Sequence, residues 1–215
     1  MPARGSGHIR PLVGIGRVGR LPADLARARF VAAYSGGIRM EEFPPLVVRA
    51  NALARRVGFA PTRQEADDTC GPSGCVPWVG RLLGVLAAGC HEGRIGEIGT
   101  GVGVGSAWMA SSMPADCLLV TVEIDRDMAA HASNLLADDR RVMVLTGDAG
   151  ELLPTCAPYD LLYADGGYQD PASYGSLIDL IRIGGQIVMD DVTDRVVAAR
   201  LAVASQRHKA RFLLW

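Results

Sequence analysis

The chain predicts an α/β protein: a doubly wound, mostly parallel sheet with helices on both faces and a helical extension at its N-terminus. Three observations carry this. From Arg94 onward, short apolar strands alternate with segments of helical length, the pattern of a parallel sheet wound by right-handed crossovers. The first strand runs into a glycine-dense loop, Ile95-Gly-Glu-Ile-Gly-Thr-Gly-Val-Gly-Val-Gly105. Strand after strand then ends in an acid, at the edge where ligands of such sheets sit.

Residues 1–22 are rich in Gly, Arg and Pro without periodicity, so a flexible tail is expected. Residues 23–77 are expected to hold N-terminal helices and a loop. Ala23–Tyr34 and Pro45–Val57 read as helices, the latter with Leu46, Val47, Ala50, Leu53 and Ala54 at helical spacing. Gly58–Pro77 collects turn formers. The main domain, 78–215, opens with an apolar helix over Trp78–Cys90. Its strands are expected to end near Ile98, Glu123, Leu145, Asp165 and Asp190. Helices fit over 104–113, 126–137, 171–182 and 194–206, with only a short helical turn at 149–154.

A length of 215 residues is enough to bury one full core, and 49% apolar with 21% charged residues is ordinary globular composition. The net charge of −1 argues against nucleic acid or an acidic membrane as partner. The five cysteines, Cys70, Cys75, Cys90, Cys117 and Cys156, form no C-x-x-C pair, which suits a reducing compartment. No apolar run approaches the roughly 18 residues of a membrane span, and no apolar signal core opens the chain. A cytoplasmic protein is the expectation. Lys209 is the only lysine among the 22 basic residues.

The loop chemistry narrows the ligand. Glycines at 99, 101, 103 and 105 with Val104 between the last two do not fit G-x-G-x-x-G. Glu97, before the first glycine, would repel a pyrophosphate, so a nicotinamide dinucleotide is disfavoured. A literal G-x-G-x-x-G does occur at Gly14-Ile-Gly-Arg-Val-Gly19, but no strand precedes it, and Pro22 stands where its helix should start. S-adenosylmethionine carries a ribose, a sulfonium and an ammonium, which suits an acidic edge. Glu123, 20 residues after Gly103, ends the second strand in Val122-Glu-Ile-Asp125, where an acid can hold two ribose hydroxyls. The E-x-G-x-G-x-G loop resembles motif I of class I S-adenosylmethionine-dependent methyltransferases.

The remaining acids fall at successive strand ends. Asp125 reads as a helix N-cap. Asp148 follows the third strand in Thr146-Gly-Asp-Ala149. Asp165 ends the fourth, and Asp190 with Asp191 ends the fifth. So many carboxylates repel one another unless cations join them. Asp165, Asp190 and Asp191 form a hard-oxygen set suited to magnesium or a similar divalent cation.

Residues 95 to about 192 resemble the catechol O-methyltransferase-like group, including its small bacterial O-methyltransferases. The resemblance rests on Glu97-Ile-Gly-Thr-Gly, Val122-Glu-Ile-Asp, Gly147-Asp-Ala with Leu152-Leu-Pro, Tyr159-Asp-Leu-Leu-Tyr-Ala-Asp, and Gly184-Gly-Gln-Ile-Val-Met-Asp-Asp. It implies a Rossmann-like methyltransferase sheet. It implies that Glu123 and Ile124 serve the ribose side of the cofactor, and Asp148 with Ala149 the adenine. Glu97 and the loop of Gly99, Thr100, Gly101, Gly103 and Ser106 would face the methionine end, with the chain near Cys75 and Val76 close by, and Asp165 would also touch the cofactor. Asp165, Asp190 and Asp191 would hold the metal. The family's usual lysine base is replaced by Tyr168, its Asp-Asn pair is Asp190-Asp191, and its terminal hairpin is reduced to one strand over Ala210–Trp215. Catalysis is therefore expected of Asp165, Tyr168 and Asp191, with Tyr168 orienting the substrate and the metal or an aspartate aiding deprotonation.

The leading expectation is an O-methyltransferase acting on a small phenolic or catechol-like hydroxyl with divalent metal assistance, in a possible homodimer. A metal-free N- or O-methyltransferase is the alternative within enzymes. A non-catalytic S-adenosylmethionine-binding protein is the alternative outside them.

Overall fold

The computed structural model describes residues 43–59, 75–165, 177–189 and the strand at 211–214. The expected tail, the helix at 23–34, most of the 58–77 loop, Cys70, Tyr168, Asp190, Asp191, Lys209 and the helix at 194–206 lie outside them. Two helices come first, α1 (Pro45–Arg56) and α2 (Pro77–Ala88). Each begins with proline at its first turn, where the missing N–H costs no helical hydrogen bond. Each turns its apolar stripe inward, through Val47, Ala50, Leu53 and Ala54 in one and Val79, Leu83 and Ala87 in the other.

The α/β part follows as β1 (Arg94–Ile98), α3 (Val104–Ala110), β2 (Leu118–Glu123), α4 (Arg126–Leu136) and β3 (Val142–Thr146). A short α5 (Ala149–Leu152), running on into a 3-10 turn, precedes β4 (Tyr159–Ala164), β5 (Ile181–Met189) and β6 (Arg211–Leu214). The six strands pair in the order β3-β2-β1-β4-β5-β6, and every pairing is parallel. The order reverses between β1 and β4, the switch point where a doubly wound sheet opens a crevice.

Strands buried on both faces read as continuous apolar runs. All six residues of β4 are buried, and Tyr159, Leu162 and Ile187 join Ile98, Val122 and Leu153 in one cluster. The Tyr159 hydroxyl, deep in that cluster, donates to the Leu153 carbonyl at 2.9 Å.

Two boundaries differ from expectation. The helix expected over 171–182 gives way earlier, because β5 already starts at Ile181. The β4–β5 register jumps from Tyr159 opposite Ile181 to Leu161 opposite Gln186. The extra residues form an irregularity that Asp160 ties down, pairing with Arg182 and accepting the Arg94 N–H at 2.7 Å. The second difference is the helix expected over 104–113, which ends at Ala110. There Arg141 donates to the carbonyls of Ala110 (3.0 Å), Met113 (2.9 Å) and Pro114 (3.3 Å), satisfying acceptors a helix end leaves open. The expected final strand is present, as a single strand lying parallel to β5.

Candidate active site

A cavity of about 830 Å³ lies beyond the carboxyl ends of β1 to β4, within the range of small-molecule and cofactor sites. Among the candidates named from the sequence, Glu97, Gly99, Thr100, Gly101, Glu123, Ile124, Asp148, Ala149 and Asp165 all line it.

The floor is the turn after β1. The N–H groups of Gly99 and Thr100 donate to the Val122 carbonyl at 3.0 and 3.3 Å, which draws the loop against β2. A side chain at Gly99 would run into the Asp165 carbonyl, so the turn can approach β4 only without one. Gly101 has φ +54°, a left-handed conformation in which a side chain is strained.

Glu123 ends β2 and is held from two sides. Its Oε2 accepts the Gly101 N–H at 2.7 Å, and its Oε1 accepts the Asp125 N–H at 2.9 Å. A carboxylate offers about four acceptor positions, so each oxygen keeps one for a ligand. That arrangement suits a pair of neighbouring hydroxyls.

Glu97 is a different kind of acid. It is 1% exposed, and its Oε2 accepts hydrogen bonds from the hydroxyls of Ser106 and Thr121, the latter at 2.6 Å. Thr121 lies opposite Glu97 in the β1–β2 register, and its hydroxyl also meets that of Thr100 at 2.5 Å. Burial pushes the Glu97 carboxyl up to about 8. The Ser106 and Thr121 hydroxyls pull it back, and the charges of Asp165 and Glu123 add to the rise. The group is thus mostly protonated at neutral pH.

Asp148 and Asp125 both act as N-caps. Asp148 accepts the Gly150 N–H at 2.7 Å at the start of α5, and Asp125 accepts those of Asp127 and Met128 at the start of α4. Both also line the cavity. Asp165 follows β4, its Oδ2 accepting from the Tyr163 hydroxyl at 3.0 Å. Ile124 is 74% exposed at the cavity mouth, an apolar surface ready for a flat ligand.

Three of the expected positions stand outside the cavity lining. Gly103 does not line the cavity: it caps α3 at φ +92°, and a side chain there would meet Leu135, Ala132 and Leu136 of α4. What favours glycine there is the left-handed backbone that starts α3. Ser106 is fully buried in α3, and its hydroxyl donates to Glu97. Cys75 is buried ahead of α2, and neither it nor Val76 lines the cavity. The sequence reading missed Phe59, Met128, Pro154, Leu177 and Leu180, which do. Of the three metal candidates only Asp165 is described. Among the described residues no group of three His, Cys, Asp or Glu converges to hold a metal ion.

A glycine turn at the switch point, with an acid closing the next strand, makes a crevice of a size and chemistry suited to a nucleoside. Residues 97–192 match the family model described as a methyltransferase domain. A protein of Mycobacterium sp. strain JLS that bears an O-methyltransferase name is 33% identical over 140 residues, 60% of this chain and 62% of its own length. The chain therefore spans less than two thirds of that curated relative. A crystal structure from Klebsiella pneumoniae, also titled for an O-methyltransferase, is 26% identical, with a TM-score of 0.54 over 76% of this chain and 70% of its own. The O-methyltransferase TomG of Streptomyces achromogenes, solved in complex with SAM, shares the fold at 24% identity. Its TM-score is 0.55, with 85% of this chain and 82% of TomG covered. No helix among the described residues is long and apolar enough to cross a membrane.

Proposed function

We propose that the protein is an S-adenosylmethionine-dependent O-methyltransferase that methylates a hydroxyl of a small phenolic or catechol-like molecule with divalent metal assistance. The observation that carries the cofactor is Glu123: a carboxylate pinned by one N–H on each oxygen, with both oxygens still able to accept a ribose hydroxyl. The side-chain-free turn at Gly99 and Gly101 lines the cavity, and the O-methyltransferase names of the relatives support the reaction class.

S-adenosylmethionine supplies an electrophilic methyl group on a sulfonium. The chain's own residues bind and align. Glu123 holds the ribose, Asp148 and Ala149 border the adenine, and Ile124 gives it an apolar face. Glu97 takes the ammonium, which draws the carboxyl to its charged form. Asp165, at the methionine end, orients the substrate hydroxyl and takes its proton, with Asp191 as the second acid. Tyr168 orients the hydroxyl, since a tyrosine near pKa 10 stays neutral at pH 7.

A divalent cation would be held by Asp165, Asp190 and Asp191, and would lower the pKa of a bound hydroxyl. Oxygen-only donors suit magnesium. One sequence feature favours a metal-free reading, the tyrosine at 168 where the resembling family carries lysine.

Calorimetry with S-adenosylmethionine and with NAD tests the cofactor; binding of NAD alone overturns it. A methyl-transfer assay across phenols and amines, with and without a chelator, tests the rest. Phenol methylation that stops with chelator is the expected result. Chelator-insensitive methylation of amines points to the metal-free reading, and tight cofactor binding without transfer points to a non-catalytic role. At saturating cofactor, Tyr168→Phe should cost about tenfold in rate, the scale of one lost hydrogen bond, and Asp191→Ala far more. The reverse ranking would make Tyr168 the principal catalytic group.

A further inference from the structure

Phe59 is the single aromatic residue among the described residues that line the cavity, and its position is built, not incidental. The end of α1 folds back in a Schellman turn. The Phe59 N–H donates to the Ala54 carbonyl at 3.0 Å and the Gly58 N–H to that of Arg55 at 3.3 Å, with Gly58 at φ +71°. These are the two bonds of that motif. The residue after the glycine commonly packs back on its own helix. Here the ring instead crosses to the glycine turn, where Cζ and Cε1 stand 3.2 and 3.3 Å from the place a Cβ on Gly101 would occupy.

Gly101 is also the residue whose N–H holds Glu123. Ring, turn and ribose-binding carboxylate therefore form one continuous wall. Towards β1 and β4 that wall meets Glu97, Gly99 and Asp165, the methionine end. The sulfur of the cofactor joins ribose to methionine, so the boundary between these two groups of residues is where it must lie.

We infer that Phe59 lies against the sulfonium and makes the site read its charge, favouring the charged methyl donor over the neutral thioether product. This rests on the cofactor reading proposed above. The ring face carries negative electrostatic potential and attracts a cation. A neutral thioether at the same place gains packing but not that attraction. No acid is needed at the sulfur itself, so the arrangement adds no carboxylate to an edge already crowded with them.

The test is calorimetric titration of the full chain with S-adenosylmethionine and S-adenosylhomocysteine, in the wild type and in Phe59→Leu, Phe59→Tyr and Glu123→Ala. Phe59→Leu should weaken the methyl donor about tenfold and the product less than twofold, and Phe59→Tyr should restore the difference. Glu123→Ala should weaken both ligands alike, because the ribose is common to them. Equal weakening of both ligands by Phe59→Leu would overturn the inference and leave the ring as a wall only. No effect on either ligand, with Glu123→Ala still impaired, would also overturn it while sparing the cofactor reading. Absence of binding of both ligands to the wild type would overturn the two together.

Discussion

Replacing Glu97 by glutamine perturbs the site at its most shielded charge. The side chain is 1% exposed, and its carboxyl is pushed from an ordinary 4.5 to about 8, chiefly by burial. A carboxyl with a raised folded-state pKa keeps its proton longer in the native protein than in the unfolded chain. Its contribution to stability is whole below pH 4.5 and is lost as pH rises through about 8. The slope is about 1.4 kcal/mol per pH unit, so the loss over that window is of order 5 kcal/mol. Glutamine keeps a carbonyl oxygen for the Ser106 and Thr121 hydroxyls and has no charge to bury. Urea unfolding between pH 5 and 9 should therefore show wild-type stability falling relative to Glu97→Gln, with the gap levelling off above about 8. Parallel pH profiles for the two proteins would refute the argument.

The same substitution has a consequence for binding. If a cation must draw Glu97 into its charged form, S-adenosylmethionine binding at pH 7 releases a proton. Affinity should rise by up to about tenfold per pH unit until about 8 and then level off, the limit for one coupled proton. Calorimetry in buffers of different ionisation enthalpy measures the proton directly. In Glu97→Gln the release should vanish and the affinity should lose this pH dependence. Binding without proton release in the wild type would remove Glu97 from the ammonium site.

Three further outcomes follow from the geometry. Glu123→Ala should weaken S-adenosylmethionine by roughly 1.5–3 kcal/mol, the scale of hydrogen bonds to a charged group; unchanged affinity by calorimetry would overturn the ribose assignment. Gly103→Ala should lower the unfolding free energy by roughly 1–3 kcal/mol from strain at φ +92°, with cofactor affinity preserved because the residue stands outside the cavity; urea melts and calorimetry check the two halves. Burial pushes the Cys90 thiol up to about 11 and raises Cys117 as well. Both should resist iodoacetamide in the native protein at pH 8 and react once unfolded, as peptide mass mapping would read.

The legible part of this protein is the part written locally. Apolar strands, a glycine turn and an acid at a strand end are adjacent in sequence, so β1, the Gly99 turn and Glu123 are readable together. Asp125 is readable as a cap because its partners are two and three residues away. Register is not local. That Thr121 sits opposite Glu97, and so helps hold its carboxylate, depends on how β1 pairs with β2. Gly103 and Ser106 look like ligand groups because they share the motif, yet the turn of α3 carries them away from the cavity towards α4 and Glu97. The start of β5 is hard to place because Leu177 to Ile183, with its apolar residues broken by Asp179 and Arg182, fits either period. Phe59 gives no signal at all, since its place follows from a backbone turn that aims it across the fold.

The two glutamates of the edge show how one residue type is given two tasks by its surroundings. Glu123 takes backbone N–H groups on both oxygens, donors fixed in place by the glycine turn and by the start of α4. Glu97 takes two hydroxyls on one oxygen and is otherwise buried, so its charge is costly until a cation compensates it. An ionised Glu97 faces the charges of Asp165 and Glu123, which raise its pKa. Holding Glu97 protonated at rest relieves that repulsion and makes the missing charge conditional on the ligand. A neutral nucleoside can then satisfy Glu123 but gives Glu97 no reason to ionise. By this reasoning adenosine should bind without releasing a proton, while S-adenosylmethionine and S-adenosylhomocysteine, which both carry the ammonium, should release one. Equal proton release by all three would place the coupled group elsewhere.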